Sequence, residues 1–135
     1  MQKQVNNISD LINEFFTPQI GFSNNHCNNC GCQGKRLRYK CCLNLPNYLF
    51  LELEDKNTIK FSDRIFIPLF NGQNHCYQFY ACIYKIKINE ITSFSALLKV
   101  GNDNYLYCND SIQKVNLNDI SLDCPSLALY KKISN

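Results

Sequence analysis

Glycine and proline are scarce in this chain, at five and four residues of 135, which excludes a collagen-like, repetitive or linker-rich polypeptide. Histidine is scarcer still. Only His26 and His75 occur, each beside a cysteine in the sequence, so candidates for a general base are few. Long apolar runs are also lacking. The opening stretch, MQKQVNNISDLINEFF, has none that would suit export or a membrane span, and the compartment expected is the cytoplasm or nucleus. There is no Gly-rich phosphate loop, no paired-carboxylate motif and no H-E-x-x-H, which leaves P-loop phosphoryl transfer and zincin-type hydrolysis without support.

What is present is globular. An apolar fraction of 45% and an aromatic fraction of 13% are far from a disordered composition. A chain of this size buries about two-thirds of its unfolded surface, enough for one core, and residues 1–135 are expected to form a single domain. Nine cysteines, an odd count, fit a disulfide framework poorly and read as reduced thiols, metal ligands or core residues. The net charge of +3 is too mild to identify a partner. Its distribution says more: Lys35, Arg36, Arg38 and Lys40 cluster, and Lys131 and Lys132 form a second basic pair.

The period of the apolar residues changes along the chain. Ile8, Leu11, Ile12, Phe15 and Phe16 recur at helical spacing, so a helix is expected over 8–17, with Ser9 as its N-cap and Thr17-Pro18 as its stop. A Cys-rich knuckle and basic hairpin occupy 24–45. From 46 to 132 the period is two. LPNYLFLELED, RIFIPLF with Pro68 at an edge or end, CYQFYACIYKIKI, SFSALLKV, NYLYCND, SIQKVNL and SLALYKK all read as strands, and Gly101-Asn102-Asp103-Asn104 as a hairpin turn. The expected fold class is α+β, mostly β: an antiparallel sheet of about seven strands with one N-terminal helix and a zinc-knuckle hairpin.

Cys27-Asn-Asn-Cys30-Gly31-Cys32 is the sharpest local signal. Two thiolates separated by two residues grip one tetrahedral zinc ion, and glycine permits the tight backbone after the second ligand. A structural site needs four ligands. Cys41 and Cys42 are the nearest completing pair, with Cys32, His26 and the more distant His75-Cys76 as alternatives. Cys76, Cys82, Cys108 and Cys124, set in apolar strands, read as core residues. The run from Lys35 to Lys40 places Arg36, Arg38 and Lys40 on one strand face, either a solvated face or a ridge that contacts phosphates.

The order of these motifs resembles the C-terminal half of the ubiquitin-specific protease fold, over roughly residues 8–132. The features that carry it are the helix SDLINEFF, the C-x-x-C, LNLPNYLFLELE, YQFYACIYKI, SALLKVGNDNYLYCND and the terminal LALYKK. The segment SALLKVG…YLYCND looks most similar to the inactive hydrolase-like domain in the large subunit of the poly(A)-nuclease deadenylase. The resemblance implies a partial ubiquitin-hydrolase-like fold. It also implies where catalytic groups belong, and there the chain departs from the family. The nucleophile of a cysteine hydrolase needs an imidazole base and a group to orient it. The family's nucleophile lies in a Gly-Asn-Thr-Cys-like segment of the N-terminal half, and these residues hold no comparable segment. The family's histidine falls in Thr92-Ser93-Phe94-Ser95-Ala96, where Ser93 or a neighbour replaces it. Asn109 and Asp110 match the orienting position, but read equally as a turn pair.

No catalytic residue is therefore expected. The expected function is a pseudohydrolase scaffold that docks on protein subunits of a large assembly, an RNA-processing or ribonucleoprotein machine. The alternative is a small basic zinc protein that binds RNA, as an accessory factor on a ribosome, and a remote third reading is a thiol deubiquitinase.

Overall fold

The computed structural model describes residues 4–22, 29, 35–38, 40–54 and 58–133, with backbone alone at 20–22, 35–37 and 87–88. A short strand, β1 (Val5–Asn7), leads directly into helix α1 (Ile8–Phe16). The cap is Asn7, not Ser9 as the sequence suggests: Asn7 Oδ1 accepts the Ser9 N–H at 3.1 Å. The Ser9 hydroxyl instead meets Ser62 Oγ at 3.2 Å, a partner 53 residues downstream. Thr17 closes the helix, donating its N–H to Glu14 O at 3.2 Å. Ile8 and Ile12 are buried, and Leu11 and Phe16 pack against the core, as the helical spacing requires.

Strands β2 (Gln19–Phe22) and β3 (Lys35–Arg38) form an antiparallel ribbon that pairs Gln19 with Arg38 and Phe22 with Lys35. The rest of the chain supplies β4 (Tyr48–Glu52), β5 (Thr58–Lys60), β6 (Arg64–Pro68), β7 (Asn74–Ile88), β8 (Ile91–Val100), β9 (Asp103–Cys108), β10 (Ser111–Val115), β11 (Leu122–Asp123) and β12 (Pro125–Lys132). Seven of them make one sheet in the order β10-β9-β8-β7-β12-β4, with β6 on β7. All its pairings are antiparallel. This is the expected α+β, mostly β architecture.

Strands β7 to β10 form a meander with two-residue turns. Asn89-Glu90 and Asn109-Asp110 have positive φ at both residues, as type I′ turns need, and Gly101 at the first position of the third turn has φ 63°. β12 then returns to fill the gap between β7 and β4, so the last strand lies inside the sheet. β6 and β8 share one edge of β7: β6 pairs with residues 74–78 and β8 with residues 81–88. Between them the register of β7 against β12 shifts, and Tyr80 is the extra residue of a bulge.

The sheet buries one face. Phe79, Tyr130, Cys82, Leu97 and Ala128 on it, with Ile65 and Ile67 of β6, pack against Ile8, Ile12, Ile59 and Phe61 from α1, β5 and the residue after it. Tyr130 stacks edge-on against Phe79 with ring centroids 5.6 Å apart. A three-stranded sheet, β1-β5-β11, lies in this second layer, with Thr58 Oγ1 donating to Asp123 Oδ1 at 2.6 Å.

Candidate functional site

Three regions carry the residues singled out by sequence. The first is the end of the sheet where β8 begins and β9 ends. Ser93, in the place the resemblance gives to a histidine, is exposed and pairs with Ile86 of β7. Asn109 and Asp110 form the β9–β10 turn at the same end, and Ser111 Oγ donates to Cys108 O at 2.7 Å. His75 lies at the far end of β7, paired with Ile67. Eleven residues separate it from Ile86 on that strand, about 36 Å at the usual rise. An imidazole so placed cannot serve a nucleophile near Ser93.

The described thiols do not gather into a metal site. Cys82 is buried among apolar side chains, which push its thiol up to about 12. Cys42 is raised by burial and then by its neighbour Cys41. Cys41 is exposed, Cys42 half-buried, and the pair follows β3 at the end of the ribbon where Arg38 meets Gln19. Phe22 and Lys35 form the ribbon's other end. Among the described residues no three His, Cys, Asp or Glu side chains come together to hold a metal. Cys27, Cys30, Cys32 and His26 lie outside the described residues, and Cys41 with Cys42 alone supply two donors where a structural zinc takes four.

The basic ridge is shorter than the sequence suggests. β3 ends at Arg38, so Lys40 does not continue the face of Arg36 and Arg38. Its ammonium instead sits 4.1 Å from the centroid of the Phe15 ring on α1, a cation–π contact. Arg38 is exposed, and for Lys35 and Arg36 only the backbone pairing with Phe22 and Gly21 is described.

A fourth region is the outer face of the sheet, the apolar surface a docking scaffold would use, although the sequence does not single out its residues. Register aligns its side chains in two rows. One runs Phe50, Leu129, Ala81, Leu98, Tyr105; the other runs Leu127, Ile83, Ala96, Tyr107, Ile112. Phe94 extends it beside Lys85. Phe50 is 62% exposed, Phe94 62% and Ile112 68%, with Ile83, Leu98 and Tyr107 also exposed. Six strands at ~4.8 Å spacing make the face about 24 Å wide, room for a helix of ~10 Å diameter or an added layer of sheet. The available signal was two-faced apolarity. In Tyr48–Glu52 both Leu49 and Leu51 on one side and Tyr48 and Phe50 on the other are apolar, the pattern of a strand covered on both faces.

No protein-family model and no curated protein matches the sequence. Solved structures do. A chain of the SAGA DUB module Ubp8/Sgf11/Sus1/Sgf73, with a Ubp8 variant and bound to monoubiquitin, superposes with a TM-score of 0.71 at 14% identity, over 95% of this chain and 33% of that one. The yeast SAGA DUB module with an Sgf73 variant gives 0.68 at 14%, over 98% and 35%. The Ubp8/Sgf11/Sus1/Sgf73 module bound to ubiquitin aldehyde gives 0.68 at 14%, over 95% and 34%. The chain therefore has a ubiquitin-specific-protease-like fold. It spans about a third of the length of the solved chains it matches.

Proposed function

We propose that this chain is a non-catalytic ubiquitin-hydrolase-like domain that binds protein subunits of a larger assembly through the outer face of its sheet. The observation that carries the reading is that face: two apolar rows, each across five strands and ended by a charged residue, Lys114 on β10 or Glu52 on β4, and uncovered by any described residue. Patches of this kind on a folded protein mark interaction sites. The similar solved chains belong to a multi-subunit module, which supports a protein as the occupant. Catalytic silence is supported by Ser93 at the histidine position, by His75 at the remote end of β7, and by Asn109 and Asp110 serving a turn. The resemblance of SALLKVG…YLYCND to the inactive deadenylase domain favours an RNA-processing machine as the assembly. In that setting a zinc knuckle built on Cys27 and Cys30 would stiffen the β2–β3 connection.

The test uses a tagged chain expressed in its own cells. Wild type should retain a defined set of protein subunits, and Ile83→Asp with Leu98→Asp should lose them, because two carboxylates would be desolvated at the interface. Both residues face outward, so melting should move little. The purified chain should release no fluorophore from ubiquitin conjugates. Retention of every subunit by the folded double variant overturns the docking face; turnover abolished by one Cys→Ala change overturns the silence.

A further inference from the structure

Strand β4 is one edge of the seven-stranded sheet and β10 is the other. Two bonds just beyond β4 fix the phase of its ladder. Leu53 donates its N–H to Ser126 O at 3.0 Å, and Asn47 O accepts the Lys132 N–H at 2.7 Å. Bonded residues alternate along an antiparallel pair, so Leu49 and Leu51 bond to β12. The N–H and C=O of Tyr48, Phe50 and Glu52 therefore point away from it. Among the described residues nothing pairs with that side of β4. These backbone groups are left for water or for another strand.

The two edges are guarded differently. The two-residue turn before β10 makes Ser111, Gln113 and Val115 the residues bonded to β9, so Ile112 and Lys114 face out, and the lysine blunts that edge. Strand β4 has no lysine, proline or bulge, and its one charge, Glu52, stands at its end. It is also short of cover on both faces. Leu49 and Leu51 are only half-buried at the margin of the core, while Tyr48 is 47% and Phe50 62% exposed on the outer face.

Symmetry and charge select the strand that fits. The outward groups at 48, 50 and 52 lie evenly about Phe50, the middle of the strand. A second copy turned about a two-fold axis at Phe50 sets Phe50 against Phe50, Tyr48 against Glu52 and Leu49 against Leu51, with the outward groups of all three residues bonded. Among the described residues neither Glu52 nor Lys131 has an ion pair. Lys131 is the β12 neighbour of Tyr48, 5.8 Å from the centroid of its ring. Across the axis Glu52 of the other copy takes the opposite side of the same ring. The two Cα atoms are then about 10 Å apart at ordinary strand spacings, a gap that two long side chains close.

We infer that β4 is a strand-addition edge whose occupant is a second copy of this chain, joined antiparallel at Phe50 into one continuous sheet. The inference concerns the chain alone and does not rest on the docking of other subunits. It extends their surface, since the apolar row that ends at Phe50 in one copy continues from Phe50 of the other. One short strand on each side makes a small contact, so the dimer is reversible.

The experiment is sedimentation velocity of the purified full chain over a series of concentrations, and a monomer–dimer equilibrium is expected. Phe50→Pro should abolish the dimer yet keep the fold, because the N–H it removes faces away from β12. Glu52→Lys and Lys131→Glu should each weaken the dimer by at least about fivefold, since the axis counts every charge pair twice. The double variant restores opposite charges across the axis and should regain the wild-type dimer; this charge set decides independently of how Phe50→Pro folds. Ile83→Asp with Leu98→Asp, on the outer face, should leave the dimer intact. A dimer lost in that outer-face variant and kept in folded Phe50→Pro overturns the edge in favour of face-to-face packing. Single charge variants that dimerise like wild type overturn the two-fold register. A chain monomeric at every concentration overturns the second copy, and saturable shifts of the Phe50 amide by an extended apolar peptide would then assign the edge to a strand of another protein.

Discussion

Replacing Tyr130 with phenylalanine removes one oxygen from the middle of the fold. The ring is fully buried in β12 against Phe79, and its hydroxyl donates to Ser62 O at 2.9 Å. Ser62 in turn meets Ser9 Oγ at 3.2 Å and Asn7 Oδ1 at 3.3 Å, so this bond ties the sheet to the capped end of α1. Tyr130→Phe keeps the ring packing and loses the bond. A neutral hydrogen bond contributes about 0.5–1.5 kcal/mol and an orphaned carbonyl costs about 1–3. Ser62 is only part-buried, so water recovers some of this, and the expected loss is about 1–2 kcal/mol. At about 2.1 cal/mol/K per residue, that lowers the Tm by about 4–7 °C.

Urea unfolding gives the value directly, with an unchanged slope expected because the buried area is the same. Amide exchange adds a second readout: the first turn of α1 should exchange faster in the variant, while β8 and β9 should not. Tyr107→Phe serves as the comparison. That hydroxyl is exposed and only 3.5 Å from Asp110 Oδ1, so its loss should stay within about 0.5 kcal/mol. If Tyr130→Phe costs no more than Tyr107→Phe, the bond to Ser62 does not link sheet and helix, and the reasoning fails.

Raising pH should destabilise the fold from about pH 9 upward. Burial holds the Cys82 thiol up to about 12 and raises Tyr130, Tyr84 and Tyr77 as well. The unfolded state therefore releases protons first, and the stability present below pH 9 is lost at about 1.4 kcal/mol per pH unit for each group; Cys82→Ala should make the curve shallower between pH 9 and 10, and an unchanged slope would show that Cys82 titrates freely. Elemental analysis should find about one zinc per chain, and Cys27→Ser with Cys30→Ser should release it; a metal-free chain with the same melting temperature and binding would reduce the knuckle to a pair of thiols. Arg36→Ala, Arg38→Ala and Lys40→Ala together should flatten the salt dependence of any RNA association by up to about three ions, at a stability cost under about 1 kcal/mol from the lost Lys40–Phe15 contact. Unchanged binding at every salt concentration would make the ridge a solvated face.

Much of this fold was legible because period and turn chemistry agree. The helix, β4, β6 and the β7–β10 meander each show the spacing that their geometry requires, and Pro68 does sit at the end of β6 on the sheet's side path. Other features depend on partners that a local reading cannot weigh. Asn7 and Ser9 are both good caps two residues apart, and both bond Ser62, a residue far away in the sequence. β5 and β11, at three and two residues, are too short to show any period. The Asn89-Glu90 turn carries a glutamate where a glycine or asparagine would have announced it. Lys40 reads as part of the strand until Phe15 is seen to draw it aside.

The outer face was hidden by the bulge in β7. Tyr77 and Phe79 face the core, but past Tyr80 the phase changes and Cys82 and Tyr84 face it instead, so one period of two cannot be drawn through the strand. Once the register is known, the polarity of the sheet identifies which side lacks its cover. The clearest strand is β10 at the edge, where Gln113 falls on the core side beside Leu106 and Ile112 falls on the outer side beside Tyr107. Both are exposed, so burial in this chain did not select either one. A strand with only a core to satisfy would place the isoleucine inward and the glutamine outward. The next pair of β10 has the ordinary polarity, with Val115 packed on the core and Lys114 outside beside Tyr105, so the surface that a partner would dry runs from Ile112 to Phe50 and stops at Lys114 on one side and Glu52 on the other.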